Sequence, residues 1–404
     1  MNGVQRGIRI GLHGAGSAVV DPYGVAHPDG WRGATCGWWL AASDTWHDPR
    51  TSPSVRQQRI DGTPVVQTKV AVPGGDVVQR MFVVADHGGR LVMQVSNESP
   101  EPVAVAVPTR HLSTTAAAGA SHVHGVDTPN GVMAYPLSHR ARITFAWPLV
   151  LPRFRSAAPI DASQLPSHDQ VVRGWMLASD RASRVVPDAS SLVAARCELA
   201  LMTAPEIDAI LDTDPILGIM TIAERVRMGD RAQEWTSQLA DAVRRSMRSP
   251  GRSAWTPRAM VMAARTLSSA VEPTATEDVV RLWQQPGVGT MDPEGGDGSV
   301  DSEAGVALRI AAIEHRFVGV ATPTSARVLP TGIPVAWRGA NVEAHGVVAT
   351  PDHRLSLALR WHGENAALLW EVDGPPGLHL SAPVVDPGFS SSAAQGEALL
   401  RVAP

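Results

Sequence analysis

The sequence predicts an α+β multidomain protein with three parts: an N-terminal antiparallel β-sandwich over residues 1–192, a short α-helical domain over residues 193–320 and a small C-terminal β-domain over residues 321–404. Three observations predict this order. Short strand patterns fill the first part, helical periodicity replaces them in the middle, and strand patterns return near the end. A chain of 404 residues also exceeds one ordinary domain and suits two or three.

The N-terminal part contains a series of short apolar segments separated by turn residues. Residues 65–72, 91–96 and 103–108 are rich in valine, which favours strands. The segments at residues 73–75 and 86–90 contain paired glycines, which suit tight turns. Short strands at this spacing, with prolines at several strand ends, are typical of antiparallel sheets packed as a sandwich.

Helix signals begin near residue 195 and continue to residue 317. Asp214 followed by Pro215 is a favourable helix start, because the carboxylate can cap the first turn and proline fits there. Thr274 has capping-box spacing to Glu277. These signals predict roughly five or six helices, including residues 216–228, 231–247, 259–271, 279–283 and 303–317.

The C-terminal part is predicted to be rich in strands. Residues 356–362 and 366–372 alternate in hydrophobicity and are separated by three turn residues, which predicts a hairpin. Trp361 falls on the apolar face of the first strand and Trp370 on that of the second. We therefore expect both tryptophans to belong to the core.

The composition excludes several functions that depend on strong charge. The net charge is -4, so no long-range field favours nucleic acid or an anionic membrane as a partner. Lys69 is the only lysine and the other basic residues are arginine. Together with abundant alanine, glycine and proline, this bias is typical of a high-GC bacterial genome and says little about arginine-specific chemistry.

The cysteines and the hydropathy pattern predict a cytoplasmic protein. Cys36 and Cys197 are isolated from each other and from any metal or redox motif, as expected in a reducing compartment. No window approaches the length of a membrane-spanning helix, and the first residues lack the apolar stretch of a signal peptide.

The strand segments resemble parts of a known group of enzymes. Residues 341–347, 357–363 and 367–372 resemble the closing β-domain of glycoside hydrolases and phosphorylases with an (α/α)6 toroid, such as glucoamylase-like and debranching enzymes. Residues 74–76 and 95–99 resemble their N-terminal sandwich. The resemblance implies a carbohydrate-active or carbohydrate-binding protein whose partner is an oligo- or polysaccharide.

The helical segment is too short for a complete toroid. Twelve helices with their connections need about 190 residues, and only about 120 are available. In the family, the catalytic carboxylates lie in the toroid, so a shortened one can lack a complete acid/base pair, and catalytic degeneracy is one of the interpretations left open. Two hypotheses remain open: a carbohydrate-active or carbohydrate-binding protein, and a non-enzymatic structural or partner-binding protein that retains the β-domains.

If the protein is a glycoside hydrolase, the acid and base candidates are Glu294 and Glu303. They lie in the densest acidic cluster, residues 292–303, which is rich in glycine and precedes the last predicted helix. Glycoside cleavage needs two carboxylates that flank one bond. The alternative, which we favour, is a solvated acidic loop in which Asp301 or Ser302 caps that helix.

A tryptophan-rich cluster near the N-terminus is the candidate substrate-binding surface. The chain has 12 tryptophans beside 5 phenylalanines and 2 tyrosines, and an indole face suits the apolar face of a sugar ring. Adjacent tryptophans in a strand point to opposite faces, so at least one of the first pair is expected in the core. The alternative is core tryptophan beside a surface aspartate. The candidates are Trp38, Trp39, Trp46 and Asp48.

No metal site and no cofactor is predicted. His122 and His124 have strand-like spacing near Asp127, but a zinc site needs a further ligand and supporting hydrogen bonds that the sequence does not offer. We therefore expect a surface loop there. Phosphate-loop, dinucleotide-binding and nucleophile-elbow motifs are absent from the sequence.

Overall fold

The structure, a computed structural model, describes residues 7–12, 16–31, 33–42, 45–116, 131–150, 159–248, 253–285, 305–363 and 365–401. The chain divides into two compact units, Met1–Met176 and Leu177–Pro404. Both units contain antiparallel sheets, and the described α-helices lie between residues 168 and 315, which confirms the α+β multidomain class with β-structure at both ends. The predicted boundaries at residues 192 and 320 stay predictions.

The first unit is built mainly from strands. They are β1 (Ile8–Leu12), β2 (Gly16–Val20), β3 (Ala26–Pro28), β4 (Trp39–Ala42), β5 (Thr45–His47), β6 (Arg56–Arg59), β7 (Val66–Val72), β8 (Gly75–Val84), β9 (Arg90–Asn97), β10 (Val103–Pro108), β11 (Ser113–Thr114), β12 (Val132–Leu137) and β13 (Arg142–Pro148). Among the described residues they form sheet A (β1-β2-β3), sheet B (β12-β10-β4-β5) and sheet C (β11-β13-β9-β8-β7-β6).

The core of the first unit lies between the inner faces of these sheets. Strand alternation sends Met81 of β8, Met93 of β9 and Val105 of β10 into one buried cluster. Trp147 of β13 lies in the same cluster and donates its indole N–H to the carbonyl of Pro108, at 3.1 Å. Sheets B and C are therefore joined by apolar packing and by a buried hydrogen bond, as in a β-sandwich.

Helix α1 (His168–Ala182) was not predicted, because the range 1–192 was expected to be all β. The helix begins in the first unit and ends in the second. The usual pattern of an amphipathic helix is reversed here, because polar residues are buried and apolar ones are exposed. His168 and Ser179 are buried, while Met176 and Leu177 are 38% and 67% exposed. Helix α1 therefore lacks the apolar stripe by which a helix is predicted from sequence.

The second unit combines helices with two further sheets. After α1 come α2 (Ala189–Ala200), α3 (Ala204–Thr213), α4 (Pro215–Met228), α5 (Thr236–Arg248), α6 (Thr256–Ser269), α7 (Pro273–Trp283) and α8 (Val306–His315). The strands are β14 (Arg184–Val186), β15 (Val318–Thr322), β16 (Ser325–Val328), β17 (Val342–Val348), β18 (Arg354–His362), β19 (Asn365–Asp373), β20 (His379–Ala382), β21 (Asp386–Ser391) and β22 (Gln395–Leu400). In the described part of this unit they form sheet D (β14-β17-β18-β19-β22) and sheet E (β15-β16-β20-β21).

Two helix starts predicted from capping residues, at Asp214 and Thr274, can be compared with the structure. The Asp214 carboxylate accepts hydrogen bonds from the backbone N–H groups of Ile216 and Leu217, both at 3.0 Å, so the predicted cap of α4 is confirmed. The predicted capping box at Thr274 is wrong, because α7 already starts at Pro273. Proline is preorganised for the first helical turn and moves the start upstream. In the described part of residues 195–317 the structure contains α3 to α8 and the end of α2, which agrees with the five or six helices predicted there.

The predicted C-terminal hairpin is confirmed. Strands β18 and β19 pair antiparallel, with Leu357 opposite Trp370 and Leu359 opposite Leu368. Trp370 is buried in the core of the second unit, and Trp361 packs against that core. Both indoles therefore fill the interior, as the alternation predicted.

The structure defines the lengths of the described helices and the burial of the two cysteines. None of the helices in the described ranges is long and apolar enough to cross a membrane. Cys36 and Cys197 are buried and belong to no disulfide, and they lie in different units.

Candidate ligand-binding face of sheet B

Strands β4 and β5 position the predicted tryptophan cluster. Trp38 and Trp39 point to opposite faces of sheet B. Trp38 is 1% exposed, belongs to the sandwich core and donates its indole N–H to the carbonyl of Tyr23, at 3.0 Å. Its ring and its N–H are therefore both engaged inside the protein, and Trp38 presents no surface to a ligand.

Trp39 and Trp46 lie together on the outer face of sheet B. Trp39 stands opposite Ala106 of β10, and Ala106 stands opposite Ala134 of β12. These three residues form one buried cluster, against which the half-buried Trp46 packs. Because the neighbouring strands contribute alanine, two large indoles fit on a floor of small side chains.

Asp48 lies two residues after Trp46, directly after the end of β5 and in extended backbone, so strand alternation predicts the same face for both side chains. Its carboxylate accepts hydrogen bonds from the Arg50 backbone N–H at 2.9 Å and from the Arg50 side chain at 2.6–3.1 Å. Burial raises the pKa of the Asp48 carboxyl, but these hydrogen bonds outweigh it and hold the pKa below its usual value. Asp48 is therefore an ionised hydrogen-bond acceptor held by Arg50, two residues after Trp46.

We call Trp39, Trp46, Asp48 and Arg50 the sheet B face. It combines aromatic surface with charged donors and acceptors held in place by hydrogen bonds. Trp39 is 5% exposed, so Trp46 supplies most of the accessible indole. Such a surface can stack on an apolar ring face and bond to neighbouring hydroxyl groups.

The other sequence candidates lie outside the described residues. Glu294 and Glu303, predicted as acid and base, fall in the range 286–304, for which the structure gives no description. The same holds for His122, His124 and Asp127. Their roles stay predictions.

The helical segment places two other carboxylates together, Glu224 of α4 and Glu314 of α8. Arg227 donates to Glu224 and to both oxygens of Glu314, with 2.9 and 3.2 Å to the latter. Arg196 donates to Glu314 at 2.9 Å and lies 3.4 Å from Glu224, and Arg258 also donates to Glu314. All five side chains are buried.

This ionic cluster is unsuited to acid/base catalysis. Burial raises the pKa of the Glu314 carboxyl, but the charges of Arg227, Arg258 and Arg196 lower it well below its usual range. Glu314 therefore stays ionised and cannot deliver a proton near neutral pH. This cluster was not predicted from the sequence. The available signal was a pair of charged residues, three apart, within the apolar pattern of α4.

A shallow groove of about 630 Å³ lies over sheet D. Its accessible polar lining includes Glu371 and Glu397 on neighbouring strands, together with His345 and Gln395. Trp370 also lines it, but its indole packs edge-on against Phe389 and donates to the carbonyl of Ala393. The groove therefore lacks a free aromatic face.

Comparisons with known proteins leave the site to be interpreted from its own chemistry. No protein-family model matches the chain. No curated protein matches it either. Among the described residues, no group of three or more histidine, cysteine, aspartate or glutamate side chains could hold a metal ion.

Proposed function

We propose that this protein binds an oligo- or polysaccharide through the sheet B face, as a cytoplasmic relative of the toroid glycoside hydrolases. One observation carries the proposal: Trp39 and Trp46 share an outer sheet face, and the ion-paired Asp48 follows Trp46 by two residues. The two buried cysteines, neither of which belongs to a disulfide, support the reducing compartment. The resemblance of the strand segments to enzymes of that group supports the ligand class.

The chemistry of the sheet B face suits a sugar. A pyranose presents apolar C–H groups on one face and hydroxyls at its edge, so it needs an aromatic surface beside fixed hydrogen-bonding groups. Trp46 supplies accessible indole, and the Asp48–Arg50 pair supplies an acceptor and donors. Binding of this kind depends on ring stacking more than on net charge and is expected to tolerate salt.

We propose binding in preference to hydrolysis. The buried carboxylates of the helical segment, Glu224 and Glu314, are both engaged by arginine. An inverting or retaining mechanism needs one carboxyl that can donate a proton beside a second that stays ionised. Loss of that function is consistent with a helical segment shorter than a complete toroid.

Titration of maltose, trehalose and short α-glucans into the protein tests the proposal, with calorimetry and tryptophan fluorescence as readouts. We expect Trp46→Ala to weaken binding by about 5-fold or more, since stacking of this kind contributes about 1 kcal/mol or more. Trp175→Ala is the matched control, because Trp175 is also half-buried and lies in the same unit. Absence of binding to every glycan, or equal losses in both variants, would contradict the proposal.

Asp48→Asn separates the polar contribution from the aromatic one. The amide keeps the size of the side chain but removes the charge that accepts from Arg50. We expect weaker glycan binding with Trp46 fluorescence unchanged in the free protein. An affinity equal to that of the wild type would exclude Asp48 from the site.

A further inference from the structure

The outer face of sheet C carries a row of polar side chains across neighbouring strands. The register places Gln67 of β7 opposite Arg80 of β8, Arg80 opposite Gln94 of β9, and Gln94 opposite Thr144 of β13. Three side chains of this row are buried: Gln67, Gln94 and Thr144. The outer face of a sheet normally exposes polar groups to water or packs apolar groups against another element. The row therefore concentrates hydrogen-bonding groups in a sheltered place.

The adjacent row on the same face is basic. Lys69 stands opposite Val78, Val78 opposite Ser96, and Ser96 opposite Arg142. Lys69 therefore lies diagonally next to Arg80 on the neighbouring strand β7, and Arg142 lies on β13, two strands from Arg80 on its other side. We call these two rows together the sheet C patch.

Helix α1 borders the patch on its other side. The rows beyond Arg80 are apolar, and Phe82 and Val92 form a buried cluster with Val172 of α1. At the start of the helix, the His168 Nδ1 lies 2.9 Å from the Gln94 side-chain oxygen. His168 thus lies next to the polar row at Gln94, and the basic row lies on the side of the polar row away from the apolar rows covered by α1.

The Arg80 guanidinium does not use all of its hydrogen-bond donors within the described residues. It donates to the Ser96 hydroxyl at 3.1 Å, but its nearest carboxylate oxygen, from Glu98, is 3.9 Å away and its buried Nε has no hydrogen-bond partner. Burial and the charge of Arg142 lower the pKa of the Arg80 guanidinium, while Glu98 and Asp169 act in the opposite sense. A half-buried cation with an unused donor is costly unless an acceptor is supplied.

The carboxylates near the patch lie at its rim. Glu98 is 46% exposed and reaches Lys69 only at 3.8 Å, outside hydrogen-bond distance. Asp169 is more exposed still and lies beside the ring of His168. Neither supplies the close, bidentate contact that guanidinium groups make with oxyanions.

We propose that the sheet C patch binds a small hydroxylated molecule that carries a carboxylate or a phosphate. Its oxyanion lies among Arg80, Arg142 and Lys69, and its hydroxyl groups bond to Gln67 and Gln94. A planar guanidinium pairs well with such an oxyanion, and amide side chains offer both a donor and an acceptor to a hydroxyl. This inference is independent of the sheet B face, which shares no residue with the patch.

Thermal unfolding of the full chain tests the anion site first, with inorganic phosphate compared against chloride at equal ionic strength. Phosphate is expected to raise the melting temperature more than chloride does. Calorimetric titration with glucuronate and with glucose then distinguishes a carboxylate ligand from a phosphate ligand. For a carboxylate ligand we expect glucuronate to bind and neutral glucose not to bind. A response to phosphate alone assigns a phosphorylated ligand.

Three variants locate the site. Arg80→Gln and Arg142→Gln are each expected to weaken binding about 10-fold, the loss of one charge-assisted hydrogen bond. Arg142 is exposed, so its variant stays informative if Arg80→Gln folds poorly. Arg173→Gln removes an exposed charge from α1 and is expected to bind like the wild type. Equal effects of phosphate, glucuronate and chloride on the wild type, or equal losses in all three variants, overturn the proposal.

Discussion

Arg196 of α2 and Glu314 of α8 form an ion pair at 2.9 Å with neither side chain exposed to solvent. The pair belongs to a cluster in which Glu314 also accepts from Arg227 and Arg258. Helices far apart in the sequence are thus joined through one carboxylate. Removal of that carboxylate leaves several buried guanidinium groups without their main partner.

Glu314→Ala is therefore expected to lower the free energy of unfolding by about 3–5 kcal/mol. Glu198→Ala is the matched control, since Glu198 pairs with Arg309 on the surface and is expected to cost less than about 1 kcal/mol. Urea unfolding followed by circular dichroism measures both. Similar losses in the two variants would show that the buried cluster contributes no special stability.

His315, next to Glu314, makes the stability depend on pH. Burial and the charge of Arg258 lower the pKa of its imidazole from 6.5 to about 4. Between these values the unfolded chain binds a proton that the folded protein does not, so the contribution is present at neutral pH and is lost on acidification through this window. The shift corresponds to at most about 3 kcal/mol.

His315→Asn is expected to flatten the dependence of the unfolding free energy on pH between about 6.5 and about 4. The control is His345→Asn, because the His345 side chain is 49% exposed. Urea titrations at several pH values give the slopes. A slope in the His315 variant as steep as in the wild type would contradict the assignment.

Trp38 and Trp46 are expected to respond differently to truncation. Trp38→Ala removes a buried core side chain together with its hydrogen bond to Tyr23, and should cost about 3–5 kcal/mol. Trp46→Ala removes a half-buried side chain from an outer face and should cost distinctly less. Thermal and urea unfolding compare them. Equal costs would mean that Trp46 is core, and would remove the main support for a glycan surface.

Two helical glycines are expected to respond to alanine with opposite signs. A Cβ at Gly218 of α4 would lie 2.5 Å from a methyl carbon of Leu211 and 3.0 Å from its Cα, so Gly218→Ala should destabilise by about 1–3 kcal/mol. At Gly174 of α1 nothing lies within 4 Å of the added atom. Gly174→Ala should stabilise by about 0.5–1 kcal/mol. A change in the unfolding free energy with the same sign in both variants would contradict the close contact between Leu211 of α3 and Gly218 of α4.

Features set by neighbours in the sequence could be predicted. The cap at Asp214 depends on residues two and three positions later, and the hairpin of β18 and β19 on a short turn. The ionic cluster could not be predicted, because Arg196 and Glu314 are 118 residues apart. Helix α1 was missed because it buries His168 and exposes Leu177.

The candidate site was predictable only in part. Strand alternation predicts that Trp38 and Trp39 separate to opposite faces, but not which of them enters the core. That outcome depends on Ala106 and Ala134, which come from strands more than 60 residues further along and leave room for Trp39 on the outer face. The sheet C patch likewise depends on the register of four strands that no local signal specifies.

Lys69 is the only lysine in the chain and stands in the basic row of sheet C. An amine-selective reagent therefore has a single side-chain target, apart from the α-amino group. Acylation there removes one cation of the patch and leaves a tag whose position in a peptide map is known in advance. The rate of that one reaction, followed by mass spectrometry with and without added anions, reports occupancy of the neighbouring surface in the unmutated protein.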